Sequence, residues 1–482
     1  MPAGFDAQPA QKSALFSSLP AEWELDLIPQ IQALLRETRQ KVFVLDDDPT
    51  GTQTVYDTVV LTNWSVDALR REMQSPDTIC YILTNSRSVD AKRAAAINRE
   101  IAYNLQAVSD LATRPFTVIS RSDSTLRGHF PAETDALANS LAARPDGILI
   151  IPAFMAGGRY TIRGVHYVEE GDALIPAAAT PFARDPVFAY ANSELSKWVE
   201  EKTEGEIAAP TVARLSIDEI RLGGPSAVTD ALKQLRGGAI CVVDAVSERD
   251  LAVVALACLR AEAAGKKLIY RTAASFAGIR GGIPIRAPLN ADEMNLMPER
   301  GGLVVVGSFV EKSSEQLAVL LESGRARGLE VKVPELLAST DDATFTEPIV
   351  EELNTILEAG NHAVVYTSRQ LVAGQDETAN FQIGKRVSAC LVQIARGLRV
   401  PPRFIIAKGG ITSSDLATEA LSIVRARILG QILPGIPVWQ PDVSSRYAGG
   451  TYVVFPGNVG DEGALLRAVE ILSASDSGPL GA

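Results

Sequence analysis

Short apolar runs rich in β-branched residues alternate with longer segments of helical spacing through most of the chain. KVFVLDD (41–47) follows DLIPQIQALLRET, whose apolar residues recur at helical spacing, and reads as a buried strand. ICYILTN (79–85) precedes a helix across 90–112, FTVISR (116–121) precedes one near 132–143, and GILIIPAF (147–154) leads into loops. From 239 the order is a strand AICVVDA, a helix ERDLAVVALACLRAEAAG stopped at Gly265, and a strand KLIYRT, which together make a βαβ unit. Strands that are apolar throughout need cover on both faces, so the pattern predicts a parallel sheet flanked by helices. The opening MPAGFDAQPAQKSALFSS, small and polar, reads as a loose tail.

GIRGGIPIRAPLNADEMNLMPERGG concentrates Gly, Pro and charge between 278 and 302 and marks a domain boundary. The alternation then resumes with GLVVVGS, a helix near 313–325, LEVKVP, a helix near 348–358, HAVVYTS, a helix over 381–398 and RFIIAKGG. In the 381–398 helix, Ile383, Val387, Leu391, Ile394 and Leu398 share one face. The expected organisation is a tail and helix over 1–40, a first domain over 41–290 and a second over 300–475, both of α/β class with a mostly parallel sheet.

Composition narrows the function classes. With 482 residues, 46% of them hydrophobic, the chain can bury a large core, and at about 100–200 residues per domain it should hold two or three domains. Lys+Arg 46 against Asp+Glu 58 gives a net charge of -12 with no local basic cluster, which argues against nucleic acid or an anionic membrane as partner. Cys80, Cys241, Cys258 and Cys390 are too scattered for a disulfide framework or a CxxC zinc site, so reduced thiols and a cytoplasmic location are expected. No basic flank with an apolar leader opens the chain, and no run approaches the ~18 apolar residues of a membrane helix.

Ligands of open parallel sheets bind beyond the carboxyl ends of the strands, which directs attention to the residues that follow each run. After KVFVL come Asp46, Asp47 and Asp48 and then Pro49-Thr50-Gly51-Thr52-Gln53. Asp-rich turns are common, yet adjacent carboxylates repel and are stabilised by a cation, a sugar hydroxyl or an ammonium group. Arg121-Ser122-Asp123-Ser124-Thr125-Leu126-Arg127-Gly128-His129 interleaves guanidiniums, a carboxylate and hydroxyls. Such a set can hold a polyol acid: Arg forks onto a carboxylate, and Asp accepts from hydroxyls and can take a proton. An ion pair capping a helix would explain it equally well. Gly157-Gly158-Arg159-Tyr160-Thr161-Ile162-Arg163-Gly164 fits either anion binding or a plain loop. His129, His166 and His362 show no metal-ligand spacing and read as hydrogen-bonded residues, so no metal ligand is assigned.

In the second domain, Lys408-Gly409-Gly410-Ile411-Thr412-Ser413-Ser414-Asp415 has the form of a strand end, paired glycines and a capped helix. Backbone amides there could cradle a phosphate, although a simple helix cap explains the same residues. Gly307-Ser308 ends another strand, and Phe455-Pro456-Gly457-Asn458-Val459-Gly460-Asp461 supplies a further glycine turn. Three such strand ends in one domain point to a nucleotide. Neither GxxxxGK[ST] nor a strand-following GxGxxG with its acidic residue is present, which argues against a Walker A kinase and a Rossmann dehydrogenase.

DDDPTGTQ, SRSDSTLRGH, PAFMAGGRYTIRG, IYRTAASF, VVGSFVEKSSEQ, KGGITSSDLA and FPGNVGDEGAL occur in an order that resembles the four-carbon acid sugar kinase family, to which threonate, erythronate and 3-oxo-tetronate kinases belong. The resemblance runs from about residue 41 to 470. It implies an N-terminal domain for the sugar acid, a C-terminal domain for ATP, and phosphoryl transfer from ATP to a terminal hydroxyl in the cleft between them. By similarity Ser308, Gly409, Gly410, Ile411, Thr412 and Gly457 or Gly460 would contact ATP. Asp47, Asp48, Arg121, Asp123 and Arg127, with Ser124 and Arg159 beside them, would face the substrate.

On this reading Arg121 or Arg127 takes the substrate carboxylate, and Asp123 or Asp48 is the base for the attacking hydroxyl. Mg²⁺ would bridge the ATP phosphates. GRYTIRG is more basic than the GRTT-like family segment, and the acidic DDATFTEP stretch lies outside the core pattern, so a branched or oxidised acid such as 3-oxo-isoapionate stays among the substrates. Rival readings are a dehydrogenase or aldolase acting on the same acids and a non-catalytic sugar-acid sensor. Oligomeric state is open, a homo-oligomer included.

Overall fold

The computed structural model describes residues 8–297, 299–370, 372 and 377–474. The chain divides into two compact units, one built from residues up to Gly51 and from Asn63 to Ile285, the other from Thr52–Thr62 and from Arg286 onward.

Seven parallel strands form the main sheet of the first unit. Across the sheet they run Ala213–Leu215, Ala239–Val243, Gly147–Ile151, Leu268–Thr272, Phe116–Arg121, Lys41–Asp46 and Ile79–Leu83. Every residue of Lys41–Asp46 and Ile79–Leu83 is buried, the outcome expected of apolar runs covered on both faces. Each fully buried Val or Ile contributes about 1.5–3 kcal/mol relative to exposure. Lys41 is tolerated because its Nζ donates to Ser75 Oγ (3.0 Å) and Asp77 O (2.8 Å). Helix Ala91–Ala112 starts at Asp90, whose carboxylate accepts from Arg93 N–H at 2.9 Å. Helix Glu248–Ala263 starts at a reciprocal cap between Ser247 and Asp250.

Two expectations for this unit need correction. The opening segment is tied down: Ala10–Gln11 pairs with Ala173–Leu174, helix Lys12–Ser17 follows, and Lys12 Nζ lies 2.7 Å from Glu169 Oε1. The stretch after GILIIPAF is likewise more than loop. Arg159–Ile162, Val165–Glu170 and Ala173–Pro176 form antiparallel strands of a small separate sheet. Their alternation is short and broken by turns at Arg163-Gly164 and Gly171-Asp172, too little for a period to emerge from sequence.

The second unit carries a mixed sheet, in the order Thr58–Leu61, Arg425–Leu433, Ile436–Pro441, Tyr452–Phe455, Ile405–Lys408, Leu303–Val306, His362–Thr367 and Ala326–Val331. The last five are parallel and the first three antiparallel. Arg425–Leu433 alternates half-buried and buried positions, the signature of a strand with one covered face. Thr58–Leu61 pairs with it, which is why this piece of the 41–290 stretch belongs with the second unit. Val304, Ile406, Val453, Phe455, Leu465 and Leu472 are among the buried side chains of its core. The helix expected near 348–358 begins earlier, at Asp342, because Asp341 caps it through Ala343 N–H (3.0 Å) and Pro348 is carried inside. The strand expected at LEVKVP is Ala326–Val331, and the helix expected over 381–398 is Glu377–Arg396.

Candidate active site

In the first unit the carboxyl ends of Lys41–Asp46, Phe116–Arg121 and Leu268–Thr272 are knit by main-chain bonds that continue past the strands. Asp47 N–H donates to Arg121 O (3.2 Å), Ser122 N–H to Thr272 O (2.8 Å) and Thr84 N–H to Asp46 O (2.9 Å). The turn after Lys41–Asp46 thereby falls beside the turn after Phe116–Arg121, which puts Asp46, Asp47 and Asp48 next to Arg121, Ser122 and Asp123.

One guanidinium ties these carboxylates together. Arg87 donates from Nε to Asp47 Oδ2 at 3.1 Å and from Nη2 to Asp47 Oδ1, while Nη1 lies 3.5 Å from Asp48 Oδ2 and 3.6 Å from Asp123 Oδ1. Sequence reasoning missed Arg87. The available signal was its place in TNSRS, just after the Ile79–Leu83 strand. Ser122 Oγ also donates to Asp47 Oδ2 (2.8 Å), and Arg121 Nη1 lies 3.2 Å from Asp46 Oδ1 and 3.5 Å from Asp47 Oδ1. Arg127 grips Asp123 through Nε (3.0 Å) and Nη2 (3.1 Å), and its Nη1 reaches Asp185 Oδ2 (3.3 Å).

The carboxylates differ in state. Burial pushes Asp46 up to about 7 against the pull of Arg121. Its Oδ2 has no hydrogen-bond partner among the described residues, and Gly51 packs so closely that a Cβ there would run into the carboxylate. Burial also opposes ionisation of Asp123, but Arg87 and Arg127 with Thr125 outweigh it and hold that carboxyl well below the usual range. Asp48 is held below its ordinary value in the same way, burial being outweighed by Arg87 and Thr50. Its Oδ1 is taken by Thr50, whereas among the described residues Oδ2 meets only Arg87.

The other expected residues lie near but play different parts. Ser124 is half-buried and its carbonyl is 2.7 Å from His166 Nε2. Burial pulls His166 down to about 4, so the ring is neutral and donates from Nε2. Arg159 stands at the start of its strand, with no ion pair among the described residues. Arg163 and Gly164 N–H groups donate to Asp244 at 2.9 and 2.8 Å, so that end of the basic segment is a turn held by a carboxylate. Arg271, in IYRT, was a second omission: it is 1% exposed, lies over Trp198 at 5.0 Å and donates to Arg127 O (2.9 Å).

In the second unit, Tyr452–Phe455, Ile405–Lys408 and Leu303–Val306 are adjacent and parallel, so the turns after them lie side by side. Ser308 N–H reaches Lys408 O (3.4 Å) and Gly409 N–H donates to Phe455 O (2.8 Å). Ser313 Oγ lies 3.0 Å from Ser308 Oγ and 2.9 Å from Gly457 O. A Cβ on Gly307 would overlap Thr412 Oγ1. One on Gly409, at φ +117, would stand 3.0 Å from Ser308 Cβ. Ser413 N–H makes its bond to Gly409 O at 2.9 Å, which leaves the earlier amides of Gly410, Ile411 and Thr412 without a helical partner. The Ile411 side chain is exposed. Lys408, fully buried, donates to Pro456 O (2.9 Å) and Gly457 O (3.3 Å), and burial pulls it down to about 7. Gly457 therefore belongs with Ser308, whereas Gly460, at φ +83, packs against Ala464 at the start of the last helix. Arg369 closes one side by donating to Ser308 O at 2.7 Å.

Among the described residues no helix is long and apolar enough to cross a membrane, and no group of three or more His, Cys, Asp or Glu is arranged to hold a metal ion. All four cysteines are free and buried.

Two family models match the chain in succession. Residues 42–280 match a family model described as a sugar-binding N-terminal domain, and residues 303–465 match one described as a nucleotide-binding C-terminal domain. D-threonate kinase of Salmonella typhimurium is 26% identical over 82% of this chain and 90% of its own length. 3-Oxo-tetronate kinase of Cupriavidus necator is 27% identical over 67% of this chain and 71% of its own. A crystal structure from Salmonella typhimurium LT2 shares the fold with a TM-score of 0.65 at 20% identity, covering 89% of this chain and 98% of that one. With both domain models matched in order over most of its length, the chain belongs to the four-carbon acid sugar kinase family.

Proposed function

We propose that the protein is an ATP-dependent kinase that phosphorylates a terminal hydroxyl of a short sugar acid, four-carbon or a related branched or oxo acid. The observation that carries the reading is the close approach of Ser308, Gly409 and Gly457 at three adjacent strand ends, where a Cβ on Gly307 would overlap Thr412 Oγ1 and one on Gly409 or Gly457 would stand 3.0 Å from the Ser308 side chain. A surface of backbone amides with glycines at its closest points suits phosphate oxygens. The kinase names of the relatives supply the reaction class.

The first unit would hold the sugar acid, with hydroxyls on the Asp47–Asp48–Asp123 group. Phosphoryl transfer needs positioning and charge neutralisation more than covalent help. Asp48 is the better base. Both oxygens of Asp123 are occupied by Arg127 and Thr125, whereas among the described residues Asp48 Oδ2 has only the longer contact to Arg87. The second unit would hold ATP through Ser308, the amides of Gly410, Ile411 and Thr412, and the Gly457 turn. Mg²⁺ fits as a passenger on the ATP phosphates rather than on a protein cage, since the first unit's carboxylates are committed to guanidiniums. It would neutralise charge on those phosphates.

An ADP-release assay over a panel of four- and five-carbon sugar acids tests the reading. Turnover that depends on both ATP and one acid of the panel is the expected result. Acid-dependent nicotinamide reduction, aldol cleavage, or tight acid binding with no ATP turnover would replace it with one of the rival functions.

A further inference from the structure

Near the strand ends of the first unit, most guanidiniums are spent on the chain's own carboxylates. Arg87 serves Asp47, Asp48 and Asp123; Arg121 serves Asp46 and Asp47; Arg127 serves Asp123 and Asp185. Neither Arg121 nor Arg127, the two expected to receive the substrate carboxylate, lacks a carboxylate within 3.5 Å.

Arg159 does. It forms no ion pair among the described residues, and its Nε is buried without a hydrogen-bond partner. Burial, with the neighbouring charge of Arg127, lowers its pKa against the pull of Asp123, Glu169 and Glu170. Its place is fixed by structure at both ends. The main chain is held by paired bonds with Phe154 (2.9 and 3.1 Å) just after Gly158 at φ +70, and the guanidinium carbon lies 5.6 Å from the centre of the Phe182 ring. The guanidinium of Arg127 lies 5.2 Å from that same ring. Arg159 is thereby set beside the Arg127–Asp123 pair. Arg121 Nε and Arg271 Nη1 are unpartnered too, but Arg121 already faces Asp46 and Asp47, and Arg271, 1% exposed and packed against Trp198 and Phe130, gives its Nη2 to Arg127 O.

We propose that Arg159, braced on Phe182, receives the carboxylate of the sugar acid and sets the preference for acids over neutral polyols. The inference rests on the kinase reading for the identity of its ligand. A carboxylate there would complete the missing ion pair and satisfy the orphaned Nε. Arg121 and Arg127 are then positioning residues that hold Asp46, Asp47 and Asp123 in place.

The test measures binding of D-threonate and of the neutral polyol D-threitol by titration calorimetry in the absence of nucleotide, so that the anchor is examined independently of phosphoryl transfer. Wild type should favour the acid. Arg159→Met should weaken acid binding about 10- to 100-fold and leave the polyol nearly unchanged. Arg159→Lys, which keeps the charge and loses the fork, should fall between. Phe182→Leu, a milder change, should weaken acid binding in the same direction should Arg159→Met fail to fold. An unchanged acid-to-polyol ratio in these variants overturns the proposal, as does a wild type that binds no acid of the four-carbon series. Acid binding that depends on Arg159, with no ADP release from any acid, would uphold the anchor and remove the kinase reading instead.

Discussion

Arg87 faces Asp47 with its fork, Nε 3.1 Å from Oδ2 and Nη2 on Oδ1, although the two are 40 residues apart in the chain. The pair exists because Lys41–Asp46 and Ile79–Leu83 are neighbours in the sheet and end at the same level, Asp46 opposite Leu83. Asp47 is 2% exposed, so its charge depends on this partner and on Arg121 and Ser122. Arg87→Met should therefore lower unfolding stability by about 3 kcal/mol, and Arg87→Lys by less, because removing one member of a buried pair strands the other. Urea denaturation monitored by circular dichroism checks this; equal midpoints for wild type and Arg87→Met would refute it.

The two candidate bases should separate kinetically. Asp48→Asn removes a proton acceptor and should lower kcat about 10²- to 10⁴-fold with modest change in sugar-acid KM. Asp123→Asn loosens Arg127 and should raise sugar-acid KM more than it lowers kcat. Steady-state assays on both variants decide, and the reverse split would return the base role to Asp123.

Much of the fold was legible in the sequence because all-buried strands are continuous apolar runs, as KVFVLD and ICYIL show. The hairpin Arg425–Leu433 with Ile436–Pro441 was not, since its half-buried positions carry Arg425, Arg427 and Gln431, Gly430 interrupts its buried face, and no long apolar run announces it. Thr58–Leu61 pairs with residues more than three hundred positions away, which no local pattern can reveal. At the candidate site, Asp47, Asp123 and Arg127 stood out by following strands and Arg121 by ending one. Their partners were not, because Arg87 reaches them only through sheet order, and the difference between Arg127 and Arg159 lies wholly in which carboxylates fold back onto each.

Glycine substitutions should report on each unit separately. Gly409→Ala must adopt φ +117 and crowd Ser308, so ATP KM should rise about 10-fold or more while sugar-acid KM holds. Gly51→Ala would push into the Asp46 carboxylate and should raise sugar-acid KM with ATP KM unchanged. Initial-rate kinetics with each substrate varied in turn would contradict this if both variants shifted the same KM.

Asp46 gives stability a defined pH slope. Folded, it keeps its proton up to about pH 7; unfolded, only to about pH 4. Between those values the folded state binds more protons, so stability falls as pH rises through the window and levels off above it. Asp48 and Asp123 are depressed and act the other way, but their contribution is lost only as pH falls below the ordinary carboxylate range. Asp46→Asn should therefore flatten the stability profile between about pH 4 and 7, by about 1–4 kcal/mol across the window. Parallel wild-type and variant profiles in denaturant titrations would show that Asp46 does not carry this proton.

Phosphorus NMR of a reaction containing the purified protein, Mg²⁺, ATP and the acid that best supports ADP release tests the central claim most directly. The account predicts a phosphomonoester resonance coupled to carbon-bound protons of the acid, formed in step with ADP. Accumulation of inorganic phosphate with ADP, and no phosphomonoester, would contradict it.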